Sequence, residues 1–271
     1  MTKNQLECRQ SLFMIANNKQ EIEREKVKFN RLADLISAKY RPKFALKIYK
    51  AMIKQAKNHR QGLNIDIKEH QKELRALILQ LYSNAVEASS KRQFQNIKKN
   101  FQAEFEIKND AQERFEFFAL DWIIAEAAKK ARNISQTTEK MIKQVIKRGQ
   151  EENLSTREVS KIIEDRAANI SKPRAMMIAN TESFAALSFA KQASTKFMSE
   201  DIELPLQKFW ASVDDSRTRP WHAAVNNQRR DMDESYIVGG EAMMRPHDST
   251  ASGRNVINCR CTETYRRKKE A

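Results

Sequence analysis

The sequence predicts a mainly α-helical N-terminal region followed by a small α+β C-terminal domain, and three observations carry that reading. Between Gly62 and Gly149 there is neither glycine nor proline, and no proline stands between Pro42 and Pro173. Those residues punctuate most non-helical structure, so their absence over such a span favours helices. Past Leu204-Pro205 short β-prone runs alternate with turn residues, and three of the five glycines, Gly239, Gly240 and Gly253, fall there. The charge is also unevenly placed: residues 1–100 carry 22 Lys and Arg against 9 Asp and Glu, while residues 101–271 carry 28 against 26. The implied domains are a basic helical region, 1–150, and a C-terminal domain, 151–271.

Taken in order, residues 4–38 read as one helix with apolar positions at Leu6, Phe13, Ile15, Ile22, Val27, Leu32, Leu35 and Ile36, broken at Arg41-Pro42. A second uses Phe44, Ala45, Ile48, Ala51, Met52 and Ala56 at spacings of three and four. Asn58 to Asn64, with Gly62, reads as a loop. Residues 66–95 give a third helix, with Ile67, Leu74, Leu77, Ile78, Leu81, Tyr82, Ala85 and Ala88 on one stripe. Residues 111–148 give one or two more, with a fresh start in Arg132–Glu139. Their Phe115, Phe117, Phe118 and Trp122 read as core, in preference to a base-stacking platform. Gly149 closes this stretch.

Ser155-Thr156-Arg157-Glu158 is a capping box for a helix over 156–167. Ser171-Lys172-Pro173 opens another, running to Phe197, with proline in its first turn. Ala175, Ala179, Ala186 and Ala190 allow close packing there, and Glu182, on so apolar a helix, calls for an arginine partner. Leu206–Val213 then reads as a strand, Pro220-Trp221-His222 as a short helix, Tyr236–Val238 as a strand ended by Gly239-Gly240, and 255–265 as the last strand.

A 40% hydrophobic fraction, 31% charge and a mean hydropathy of -0.74 describe a chain rich in exposed helix. No apolar run of about 18 residues exists, so neither a transmembrane helix nor a membrane partner is expected. The N-terminus has no signal-peptide apolar segment. Three cysteines, one isolated at Cys8, make no disulfide framework and point to a reducing cytosol. The net charge of +15 concentrates in residues 1–100, which suggests non-specific contact with a polyanion, most simply double-stranded DNA. A solvated, lysine-rich helical surface is the plainer alternative.

The chemically distinctive residues gather near the end. Cys259, Cys261, His222 and His247 could hold zinc, which accepts thiolate and imidazole tetrahedrally, so zinc is the candidate cofactor although none is required. On an extended strand the two cysteines would lie about 6.6–7 Å apart at Cα, a poor geometry for a shared metal or a disulfide. Asp214, Asp215 and His222 could bind a divalent ion as in a nuclease, yet Asp214-Asp215-Ser216 also reads as turn chemistry, with Arg217 and Arg219 neutralising the carboxylates. There is no Gly-rich phosphate loop, no G-x-S-x-G and no HExxH.

Together, several blocks resemble the phage head-morphogenesis family typified by phage Mu protein F, the minor head or minor capsid proteins. They are Leu154-Ser155-Thr156-Arg157-Glu158-Val159, the run from Arg174 to Thr181 and Glu182, Lys208-Phe209-Trp210, Asp215-Ser216-Arg217-Thr218-Arg219 and His222. Val238-Gly239-Gly240-Glu241, Arg245-Pro246-His247-Asp248 and Asn255-Val256-Ile257-Asn258-Cys259-Arg260-Cys261 follow. The likeness covers roughly residues 150–265. Two departures stand out: Asn180-Thr181-Glu182 replaces the family's usual Arg-Thr-Glu, and Pro246-His247-Asp248 replaces Pro-Gly-Asp.

The resemblance implies a non-enzymatic, low-copy protein of the virion or procapsid interior, made in the bacterial cytoplasm. Its partners would be the portal protein, capsid or scaffold proteins and packaged DNA. The alternative is a metal-dependent nuclease or toxin-like effector using the C-terminal Asp, His and Cys residues.

Overall fold

The computed structural model describes residues 19–101 and 110–268. Four long helices lead: α1 (Lys19–Arg60), α2 (Lys68–Phe101), α3 (Ala111–Glu151) and α4 (Thr156–Asp201). Shorter elements follow: β1 (Leu206–Ala211), α5 (Pro220–Ala224), β2 (Arg229–Asp231), β3 (Tyr236–Val238), β4 (Glu241–Met243), α6 (Gly253–Val256) and β5 (Thr262–Arg267). A helical region followed by a small part with antiparallel strands is the class the sequence predicts. Leu6, Cys8, Phe13 and Ile15 lie outside the described residues.

Among the described residues the helices are longer than the punctuation implies. Pro42 sits inside α1 and Pro173 inside α4, and α3 runs through Arg132–Glu139 without interruption. An internal proline forfeits a hydrogen bond and crowds the preceding turn. Here buried residues on both sides outweigh that cost: Tyr40, Phe44 and Ile48 around Pro42, and Ala167, Ala175 and Ala179 around Pro173. Several stripe positions also need correction. Val27 and Leu35 are exposed, while Phe29, Ala33 and Tyr40 form the buried face of α1. On α3 the inward positions Phe115, Ala119, Ile123 and Ala127 repeat every four residues, which leaves Phe117 80% exposed and Phe118 58%.

The chain forms two compact units, neither a continuous stretch. One consists of Leu35–Ser83 and Leu120–Glu182. Its core holds Met52, Leu74, Ile78, Leu81, Ile142 and Ile163, and Tyr82 stacks on Trp122 with centroids 5.2 Å apart. Gly149 lies inside the last turn of α3, where a Cβ would stand 2.3 Å from Val159 Cγ2, so its missing side chain permits close approach of α4. The expected capping box forms: the Glu158 carboxylate accepts from Ser155 N–H at 2.7 Å, and Glu158 N–H donates to Ser155 Oγ at 3.3 Å.

The other unit takes the described residues up to Asp34, those between Asn84 and Ala119, and those from Ser183 onward. Phe115 packs on Phe94 and Phe197, each with ring centroids 5.9 Å away. A three-stranded antiparallel sheet runs β2-β1-β5, with Lys208 opposite Arg230 on one side and Tyr265 on the other. β3 and β4 form a hairpin closed by Gly239 and Gly240 at φ 58° and 85°, the pair of positive angles that a two-residue turn of this kind requires. Trp210, Val225, Tyr236, Val238, Met243, Val256, Cys259 and Cys261 make one buried cluster beneath these strands.

Candidate functional site

Residues 255–261 are not a strand. Ser252 stands at the N-cap of α6 and is held by Glu241: the carboxylate accepts from the Ser252 N–H at 2.8 Å and from its hydroxyl at 2.6 Å. The helix stops after one turn, Cys259 N–H donates to Val256 O at 3.3 Å, and Asn258 turns the chain at φ 54°. Strand pairing starts only at Thr262. The extended spacing expected of the two cysteines therefore does not apply. The tight loop folds back so that Cys261 N–H donates to Cys259 Sγ at 3.4 Å, and both sulfurs face the same imidazole.

That imidazole is His222, placed by α5, whose first residue is Pro220. Its Nδ1 lies 3.6 Å from Cys259 Sγ and 3.5 Å from Cys261 Sγ. The three ligand atoms all lie within 4.8 Å of one another, and among the described residues no other His, Cys or carboxylate cluster of three does so. All three residues are buried, and both thiols are free.

Asn255 fixes the orientation of this group. Its Nδ2 donates to Val238 O at 3.1 Å, so its Oδ1 is the atom that faces Trp221 Nε1 at 2.7 Å and His222 Nε2 at 3.3 Å. A carbonyl oxygen only accepts, hence His222 donates from Nε2–H to Asn255 and turns Nδ1 towards the sulfurs. Burial pushes the Cys259 thiol up, but Cys261 beside it, together with His247 and His222, carries it well below the ordinary thiol range. Hydrogen bonding to Cys259, then burial, drives Cys261 the opposite way.

His247 stands outside the group of three, though it is near enough to Cys259 to lower its pKa. It is 1% exposed, its ring stacks on Phe184 at 5.2 Å, and neither ring nitrogen makes a hydrogen bond. Its backbone has φ 62°, a conformation that favours glycine.

Asp215 works in the adjoining loop. Its carboxylate accepts from Arg260 at 2.6 Å, from Arg217 N–H at 3.1 Å and from the Thr218 hydroxyl at 3.2 Å, and these contacts, the Arg260 one first, hold it well below the usual carboxylate range. Arg260 is its main cation; Arg217 stands 4.0 Å away, and Arg219 donates to Ile257 O at 2.6 Å instead. Asp215 and Asp214 are exposed and do not join His222 in a metal-binding group. A small cavity, about 10 Å³, lies between this loop and the three ligands, lined by Arg217, Thr218, Arg219, His222, Cys259 and Cys261 among others. That is room for about one water-sized occupant.

Other motif residues have structural work. Trp210 is fully buried and packs edge-on against His222 at 5.6 Å and Tyr236 at 5.2 Å. A Cβ on Gly239 would meet Trp221 Cδ1 at 2.8 Å. In the other unit Arg174 donates to Ile134 O and Thr138 Oγ1, both at 2.9 Å, and burial brings its pKa to about 10. Thr181 is buried on α4. Glu182, for which an arginine partner was expected, accepts from the Tyr82 hydroxyl and stands 3.9 Å from Lys130.

Sequence reasoning missed a second buried polar group around β5. Lys191 Nζ donates to Glu263 O at 2.6 Å, Lys208 Nζ to Met244 O at 2.7 Å, and Tyr265 OH to a Glu263 carboxylate oxygen at 3.0 Å. Burial raises Glu263 to about 7 against the pull of Lys208 and Tyr265. The available signal was Lys208 two residues before Trp210, a charged residue on the same face of a short strand as an aromatic core residue.

The order of these elements, from the capping box of α4 through Asp215, the Gly239-Gly240 hairpin and the Cys259–Cys261 loop, is what a comparison with protein families tests. Residues 136–264 match the family described as Phage Mu protein F like protein. The Mu F-like region spans just under half of the chain and contains every motif block named above. It lies at the C-terminal position that the resemblance gave it, and supports a phage head-morphogenesis protein. No curated protein and no solved structure matches the chain. Among the described residues no helix is long and apolar enough to cross a membrane.

Proposed function

We propose that this chain is a minor head morphogenesis protein of a tailed phage or prophage, acting without catalysis inside the procapsid, beside the portal and against packaged DNA. The observation that carries the reading is the Mu F-like match over residues 136–264. Its motif side chains favour a structural role, since Asp215, Arg219, Arg260 and Glu241 are engaged in loop and cap contacts. DNA contact is supported by the basic excess of residues 1–100 and by exposed Lys43, Lys50, Lys54 and Lys57, which recur along one stripe of α1 over about 21 Å. Each phosphate neutralised by such a side chain releases counterions and gives sequence-independent, salt-sensitive affinity.

Two experiments test the reading. Co-expressed with the portal, capsid and scaffold proteins of its own phage, the chain should co-sediment with procapsids and be captured with the portal; procapsids formed without it under those conditions would refute the assembly role. For DNA, the full chain should bind duplexes of unrelated sequence alike. The triple variant Lys50→Glu, Lys54→Glu, Lys57→Glu should lower affinity and reduce the slope of log affinity against log salt by about 2–3. An unchanged slope would remove DNA from the proposal.

A further inference from the structure

Three features of the Cys259–Cys261 loop call for an occupant between the thiols and His222. The first is distance. Zinc bonds to sulfur at about 2.3 Å and to imidazole nitrogen at about 2.0–2.1 Å, so a tetrahedral site separates N and S by about 3.6 Å. The observed separations from His222 Nδ1 are 3.6 and 3.5 Å. The second is hydrogen-bond arithmetic. With Asn255 taking Nε2–H, His222 has only Nδ1 left, and one ring nitrogen makes one hydrogen bond along one direction, yet two sulfurs approach it equally. A metal ion on that axis would use the lone pair and both sulfurs together. The third is support around the site: Asn255 orients the imidazole through its far nitrogen, the arrangement that metal-bound histidines commonly have.

We propose that His222 Nδ1, Cys259 Sγ, Cys261 Sγ and the imidazole of His247 bind a structural zinc ion. His247 is the fourth ligand, its ring closing on the metal from outside the group of three, because it is the buried imidazole beside Cys259 with both nitrogens unpartnered, and burying them so costs free energy unless something binds them. Its residue type adds to the case, since a histidine at φ 62° is strained where glycine would not be. Two thiolates and two neutral imidazoles balance the charge of a divalent zinc, so the filled site is neutral, as a dry core demands. Binding releases the remaining thiol proton, or protons, to solvent. The metal would tie α5, the loop after α6 and the turn before Asp248 into one unit. This holds whether or not the chain works at a portal.

The test uses the full-length protein, reduced and stripped with chelator. Zinc should restore one metal per chain by elemental analysis and raise the Tm, and cobalt(II) in its place should give thiolate charge-transfer absorption. Cys259→Ser and Cys261→Ser should each abolish that absorption and weaken zinc binding at least about 100-fold, while Cys8→Ser changes neither. His247→Gly should weaken zinc about tenfold or more, measured on metal-free protein that still unfolds cooperatively. Folded wild type that takes up neither metal, or a Cys259→Ser, Cys261→Ser double variant that binds both as before, overturns the site. Wild-type affinity in His247→Gly overturns the assignment of the fourth ligand.

Discussion

Asn255 governs the C-terminal core through one amide, which accepts from Trp221 and His222 and donates to Val238. Asn255→Ala would take a partner from two buried groups, His222 Nε2 and Val238 O, and from the half-buried Trp221 Nε1, and a loss of about 2–4 kcal/mol is expected in urea unfolding. A loss below about 1 kcal/mol would show that the amide is dispensable. The sequence marks Asn255 only as the first residue of a run, and nothing in the alternation of Asn-Val-Ile-Asn-Cys-Arg-Cys reveals that Asn258 takes φ 54°. The helical turn of α6 and the positive angle after it convert a supposed strand into a loop and bring two sulfurs onto one nitrogen. The types of residue at the site were legible; their convergence was not, because it depends on backbone angles that asparagine adopts in some contexts and not in others. His247 was legible as unusual, and its φ of 62° supplies the physical reason for a glycine at that place.

Elements were easier to recognise than to bound. The capping box at Ser155–Glu158 fixed the start of α4 correctly because its signal is local and reciprocal. Pro42 and Pro173 misled, since a proline's local penalty yields to burial along a helix held on both sides. Gly149 was read as a helix stop, whereas it accommodates Val159 within the final turn. That geometry reverses an ordinary expectation. Gly→Ala inside a helix usually stabilises by about 1 kcal/mol. Gly149→Ala should instead destabilise by about 1–3 kcal/mol through overpacking. Pairing it with Val159→Ala should recover much of the loss, and thermal unfolding of the single and double variants reads both effects.

For the molecule as a whole, two buried groups make acidity act in opposite senses on the two units. His70, 5% exposed, has its pKa lowered to about 4 by burial and then by Arg174, so the unfolded chain binds more protons and stability is lost as pH falls from about 6.5 towards 4. Glu263, raised to about 7, binds more protons when folded, and its contribution is lost as pH rises from about 4.5 to 7. Between about pH 4.5 and 6.5 the two slopes oppose each other. Glu263→Gln should leave stability rising with pH across that window, and His70→Gln should leave it falling; parallel profiles for both variants would contradict the assignment. The uneven charge and the helical-then-mixed order were readable from composition, while these buried charges were not, because burial is a property of the assembled core. The sheet order β2-β1-β5 has a consequence in time: its middle strand is made well before the last one. During synthesis β1 must wait, with Lys208 and Trp210 lacking their final cover, until β5 leaves the ribosome, so completion of this part of the protein is necessarily a late event.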